Sequence, residues 1–187
     1  MDAAVRDDLT EALPTYAHVT FNRNDFGPGM NSISFRPDLF RLVDSDWQQA
    51  CEGRLNVAPA RFVCWAVLEH IATGIRFVAV NCHFTKVVAD EHEQWRRDMW
   101  GRNLTVLRQV VAGFRIQGLP VLLGGDLNRQ AWDIVGEGLI EPRYVEPPAG
   151  PTVDRIAVSK DVTVLDSRLG PQNGSDHFSV IARLTIP

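Results

Sequence analysis

Cysteine is scarce in this chain, and none of it is paired by spacing. Of the 187 residues only Cys51, Cys64 and Cys82 are cysteine, an odd number without a CxxC pair. That argues against a disulfide framework and a closed zinc site. Cys64 and Cys82 lie in strand-like runs and read as ordinary buried thiols. Long apolar runs are missing as well, so no stretch is suited to spanning a bilayer. The first residues, Met1-Asp2-Ala3-Ala4-Val5-Arg6-Asp7-Asp8, are too acidic for a secretory signal, and a cytoplasmic setting is expected. Positive charge is also short. The formal net charge is −4, which argues against tight, charge-driven nucleic-acid binding. A nuclease is still compatible with it, because a bound divalent metal supplies positive charge locally. Gly124-Gly125 lacks the lysine of a phosphate loop. With no repeat and no linker, the chain reads as one domain, 1–187, large enough to bury a core.

What is present alternates between strand and helix patterns. Asp7 to Leu13 is a candidate short helix ending before Pro14. Asn31 to Phe35 reads as a strand that Leu39 to Asp44 continues after the Arg36-Pro37-Asp38 turn. Phe62 to Leu68 is an unbroken apolar run inside the strand Arg61 to Glu69, which turns at Thr73-Gly74 into Arg76 to Val80. Then the period changes. Trp100, Leu104, Leu107, Val111 and Phe114 mark one face of a helix, with Asp90 and Glu93 as a capping box and Gly118-Leu119-Pro120 as its stop. Val121 to Leu123 is a short buried strand, and Pro142, Pro147, Pro148, Gly150 and Pro151 mark a loop. Strands at Arg155 to Val158, Val162 to Asp166 and Ser179 to Ile186 complete an α/β chain.

Polar clusters sit at the ends of these apolar strands. Asp126 and Asn128 are spaced i, i+2, which on extended backbone points both side chains to one side. There one takes a proton from water while the other orients it, although the same residues equally read as a turn. His83 follows Asn81 at the end of Val78 to Val80. It is a candidate partner for a phosphoryl oxygen or a leaving group, against the plainer reading of a structural histidine. Asp176 and His177 are adjacent at a strand mouth, where neighbouring side chains diverge to serve a metal and a phosphate. Asp154 opens another strand and either orients His177 or pairs with solvent and Arg155. Hydrolysis at phosphorus needs these functions: an activated water, charge stabilisation and usually a metal.

In order and in strand context, these segments resemble the endonuclease/exonuclease/phosphatase family of metal-dependent phosphohydrolases, which has the DNase I-like fold. Asn81-Cys82-His83-Phe84 is similar to its Asn-Thr-His-Leu segment, and Gly125-Asp126-Leu127-Asn128 to its Gly-Asp-Phe-Asn. Val153-Asp154-Arg155-Ile156 is similar to its Ile-Asp-(His/Tyr)-Ile, and Ser175-Asp176-His177 to its terminal Ser-Asp-His. The resemblance runs from about Asn31 to the C-terminus. It implies a four-layer α/β sandwich and cleavage of phosphate esters with Mg²⁺ or Mn²⁺. It also implies that His177 is the base or phosphate-facing histidine, supported by Asp154. Asp126 and Asn128 would position the water or the phosphate, His83 would stabilise the pentacovalent state, and Asp176 would help hold the metal. Nucleic acid is the expected substrate class, with inositol phosphates and lipid head groups as others in the family. No membrane association is expected, and the oligomeric state is open. The family usually begins with a strand bearing Asn and a second ending in Gln-Glu, whose Glu binds the metal. Neither appears here. The expectation is therefore an N-terminally truncated version of the fold, and the alternative function is a catalytically impaired remnant acting as a binding module.

Overall fold

The computed structural model describes residues 10–19, 21, 31–129, 138–141, 152–172 and 174–187. Its organising element is a six-stranded sheet built from the most apolar segments. In chain order the strands are β1 (Ala17–Val19), β2 (Ile33–Phe35), β3 (Phe40–Cys51), β4 (Arg61–His70), β5 (Arg76–His83), β6 (Val121–Asp126), β7 (Leu139–Ile140), β8 (Asp154–Ser159), β9 (Thr163–Leu169) and β10 (Val180–Thr185). The large sheet has the order β3-β4-β5-β6-β8-β7, while β1-β2 and β9-β10 form separate two-stranded sheets. Only β5 and β6 run parallel within the large sheet. A parallel pair needs a crossover, and the helix α1 (Glu93–Ile116) supplies it.

The unbroken apolar run of β4 follows from burial on both faces. Val63 and Val67 join a core with Leu107 and Val111 of the helix. Their neighbours Cys64, Ala66 and Leu68 join a second core with Val19, Phe21 and Phe35. The large sheet is thus covered by α1 on one side and by the small sheets on the other, a mixed α/β arrangement. Both cores exclude Cys64 and Cys82 from solvent, and burial pushes the Cys64 thiol up to about 12. Neither thiol is expected to react with a disulfide reagent at neutral pH until the protein is unfolded, which a native-versus-denatured thiol titration would check.

Several sequence expectations shift. The Leu39 to Asp44 segment does not continue the preceding strand. It begins β3, which runs to Cys51 and pairs with β4, while β2 pairs with β1. The stretch from Asp44 to Gln49 is polar because β3 is the edge of the large sheet, so its composition hides the strand. The capping box does not form. His92 is the N-cap without a side-chain bond, and Glu93 is the first helical residue. Asp90 Oδ1 accepts instead from the His92 N–H at 2.8 Å. The helix does stop where expected: Gly118 has φ +76°, and the Leu119 N–H returns to the Phe114 carbonyl. Its buried face also carries Asn103, fully buried, whose amide meets Thr85 Oγ1 at 3.3 Å. Of the Asp7 to Leu13 helix, residues 10–12 are helical and 7–9 lie outside the described residues. The proline-rich loop at 142–151 lies outside them too.

Candidate functional site

Three strand ends of the large sheet meet at one edge. β5 and β6 are parallel and β8 runs against them, so the end of β5, the end of β6 and the start of β8 coincide. The register pairs His83 with Asp126 and Asp126 with Asp154. Alternation points these three side chains to the side of the small sheets. The β5–β6 contact is tight because Gly125, at φ +152°, leaves no room for a side chain: a Cβ there would lie 2.0 Å from the Cys82 carbonyl oxygen. Beyond the strands the ladder continues, with the Phe84 N–H bonded to the Asp126 carbonyl and the Leu127 N–H to the Val153 carbonyl. Trp100 of the helix donates Nε1–H to the Leu127 carbonyl at 2.8 Å. We expect Trp100→Phe to leave that buried carbonyl unpaired and to lower stability by about 1–3 kcal/mol in chemical denaturation.

The fourth residue comes from the other layer. His177 lies in the loop before β10, its backbone N–H donating to Ser175 Oγ at 3.1 Å. Its Nδ1 is 2.7 Å from Asp154 Oδ2. His83 Nε2 is 3.5 Å from Asp126 Oδ2. Asp126, Asp154 and His177 offer donor atoms that all lie within 4.8 Å of one another. Burial and then the Asp126 charge raise the Asp154 carboxyl above the usual range, partly offset by His177. Burial and then the Arg61 cation hold His83 below its usual range.

Two sequence arguments about geometry do not hold. Asn128 is not on extended backbone: its φ is +50°. Its N–H donates to Asp126 Oδ1 at 2.8 Å, closing a side-chain-capped turn, and its Nδ2 donates to the Phe84 carbonyl at 3.0 Å. Asp176 and His177 do not diverge at a strand end either. They sit in a turn, Asp176 Oδ2 lies 3.8 Å from His177 Nε2, and the Asp176 side chain is 94% exposed. His83, Asp126, Asp154 and His177 are therefore brought together, Asn128 flanks them through its turn, and Asp176 stands at the rim.

Arg61 was not singled out by the sequence reading. It opens β4 at the same edge, close enough to Asp126 and His83 for their charges to interact. The available signal was one cation at the mouth of an otherwise apolar central strand.

A model of the Endonuclease/Exonuclease/phosphatase family matches residues 2–177. The fold is similar to that of an endonuclease/exonuclease/phosphatase from Bacteroides vulgatus, at TM-score 0.76 and 21% identity over 97% of this chain and 80% of that one. A mannosyl-6-phosphatase from Bacteroides thetaiotaomicron gives 0.72 and 22% over 96% and 80%. TDP2 from D. rerio, complexed with a single-strand DNA product, gives 0.70 and 13% over 99% and 82%. No curated protein matches in sequence. The family match spans nearly the whole chain and contains all four converging residues, so this chain belongs to the endonuclease/exonuclease/phosphatase family.

Proposed function

We propose that this protein hydrolyses phosphate esters at His83, Asp126, Asp154 and His177, with a divalent cation, and that nucleic acid is its substrate class. The observation that carries the reading is the 2.7 Å approach of His177 Nδ1 to Asp154 beside Asp126. A carboxylate at Nδ1 holds the imidazole orientation and tautomer, leaving Nε2 to take a proton from the water that attacks phosphorus. Asp126 and the Asn128 turn position that water or the phosphate. His83, held neutral at neutral pH, is a hydrogen-bonding partner for the phosphoryl oxygens.

The residues fit a small cation. Two carboxylates stand side by side, and burial followed by the neighbouring Asp126 charge raises Asp154, an unfavourable charge pair that positive charge between them would relieve. Asp126 and Asp154 would hold the ion through their carboxylates, with Asp176 assisting from the rim and His177 Nε2 left free as the base. Carboxylate oxygens suit Mg²⁺ and Mn²⁺. When bound, the ion would draw negative charge from the phosphoryl oxygens. Residues 1–187 act as one domain in this reading.

The similarity to a mannosyl-6-phosphatase favours a second reading, a sugar phosphomonoester. Hydrolysis of plasmid DNA, bis(4-nitrophenyl) phosphate and a hexose 6-phosphate, each with Mg²⁺, Mn²⁺ or EDTA, separates the two. Metal-dependent cleavage of the diesters supports nucleic acid, and cleavage of the monoester alone supports the second reading. Folded protein that turns over none of them returns the chain to a binding module.

A further inference from the structure

A polar side chain on the buried face of a helix is costly unless each of its hydrogen-bonding groups is matched. The buried residues of α1 are Met99, Trp100, Asn103, Leu107, Val110 and Val111, and only Asn103 among them carries an amide. Leucine would fill a similar volume and is the better helix former. The amide is matched at both ends. In the orientation that satisfies its surroundings, Oδ1 accepts the Thr85 N–H at 2.9 Å and the Thr85 hydroxyl at 3.3 Å, while Nδ2 donates to the Met99 carbonyl at 3.3 Å. Thr85 is fully buried as well, and its hydroxyl lies 3.6 Å from Cys51 Sγ at the end of β3.

What Asn103 grips gives this bond a meaning. Thr85 follows Phe84, whose N–H donates to the Asp126 carbonyl at 2.8 Å. The Phe84 carbonyl accepts from Asn128 Nδ2 at 3.0 Å, and the Asn128 N–H donates to Asp126 Oδ1 at 2.8 Å. With Oδ1 engaged, Oδ2 is the atom that faces His83 Nε2. One turn earlier on the helix, Trp100 packs its ring edge against Phe84 and donates to the Leu127 carbonyl. The Trp100 to Asn103 turn thus clamps both segments that leave the sheet beside the site.

We propose that Asn103 is a positioning residue of this site, holding the Phe84 carbonyl where it fixes the Asn128 turn and so aims the Asp126 carboxylate. The proposal rests on the phosphoester reading for its effect on turnover, but the link itself is a property of the folded chain. Asn103 touches no reacting atom and acts through Thr85, Phe84 and Asn128.

The test compares the full chain with Asn103→Leu, Val111→Ala, Asn128→Ala and the Asn103→Leu/Asn128→Ala pair. Leucine keeps the volume and leaves the Thr85 N–H unpaired. Val111→Ala lowers stability from the same helix face without touching the link, so it shows what general loosening does. Amide hydrogen exchange is read by NMR. Phe84 and Asn128 are expected to exchange about 10-fold faster in Asn103→Leu than in Val111→Ala, while Leu123 inside β6 differs little between the two. On bis(4-nitrophenyl) phosphate with Mg²⁺, Asn103→Leu should lower kcat about 10-fold and change KM less than about twofold. Added to Asn128→Ala, it should lower kcat no further, because the link then has nothing to act on. Exchange at Phe84 and Asn128 that is no faster than in Val111→Ala overturns the proposal. So does a kcat loss in an active parent no larger than the Val111→Ala loss. If the exchange responds as expected but the parent turns over no substrate, the hydrolase reading fails while the link stands.

Discussion

Replacing His177 by alanine is expected to lower phosphoester turnover by about 10³-fold while leaving the fold intact. The size follows from the usual contribution of a positioned general base, about 10²- to 10⁴-fold. The fold should survive because His177 lies in a loop with its side chain 38% exposed. Asp154→Asn is the companion. It keeps the shape but removes the charge that orients Nδ1, so it should also lower turnover, and by less than His177→Ala if orientation is its role. Steady-state kinetics on bis(4-nitrophenyl) phosphate with Mg²⁺ would measure both. An alanine variant retaining half of the parent rate would remove His177 from the mechanism.

A Gly125→Ala substitution should have the largest effect on stability, about 3 kcal/mol or more, a fall of roughly 10 °C in melting temperature. Two costs combine. The backbone there has φ +152°, where a side chain is strained, and the new methyl would lie 2.0 Å from the Cys82 carbonyl oxygen. That oxygen belongs to the backbone of a central strand and cannot swing away. Relief requires β5 and β6 to separate, which pulls His83 from its register partner Asp126. Activity should therefore fall even in the fraction that stays folded. Thermal melts with activity assays below the transition would check this, and a melting temperature within about 2 °C of the parent would show that the close approach does not constrain the chain.

Much of the architecture could be read directly where one residue pattern had one explanation. The run from Phe62 to Leu68 was legible as a central strand because both its faces are covered. The helix face was legible from spacing, except for Asn103, which spacing alone would place with solvent. Its burial depends on Thr85, a residue from another segment. The edge strand β3 was half read because its polar residues face outward, and sequence does not distinguish an exposed strand face from a loop. At the site, four of the six candidate residues converge, while the local geometry of the other two departs from the expectation. Asn128 was placed on extended backbone, whereas the Asp126 carboxylate accepting its N–H folds it into a turn.

The amino-acid sequence by itself determined the alternation of apolar segments, the helix between two strands, and an acid or imidazole at the mouth of each strand that now matters. Those are properties of neighbours along the chain, set by side-chain period and by turn chemistry. Only the tertiary structure decided that His83, Asp126, Asp154 and His177 share one edge and that Asp176 stays at the rim. The reason is long range: the helix crossover makes β5 and β6 parallel, β8 returns against them, and the loop before β10 approaches from the other layer. Each placement depends on registers between segments far apart in sequence, which no local pattern encodes.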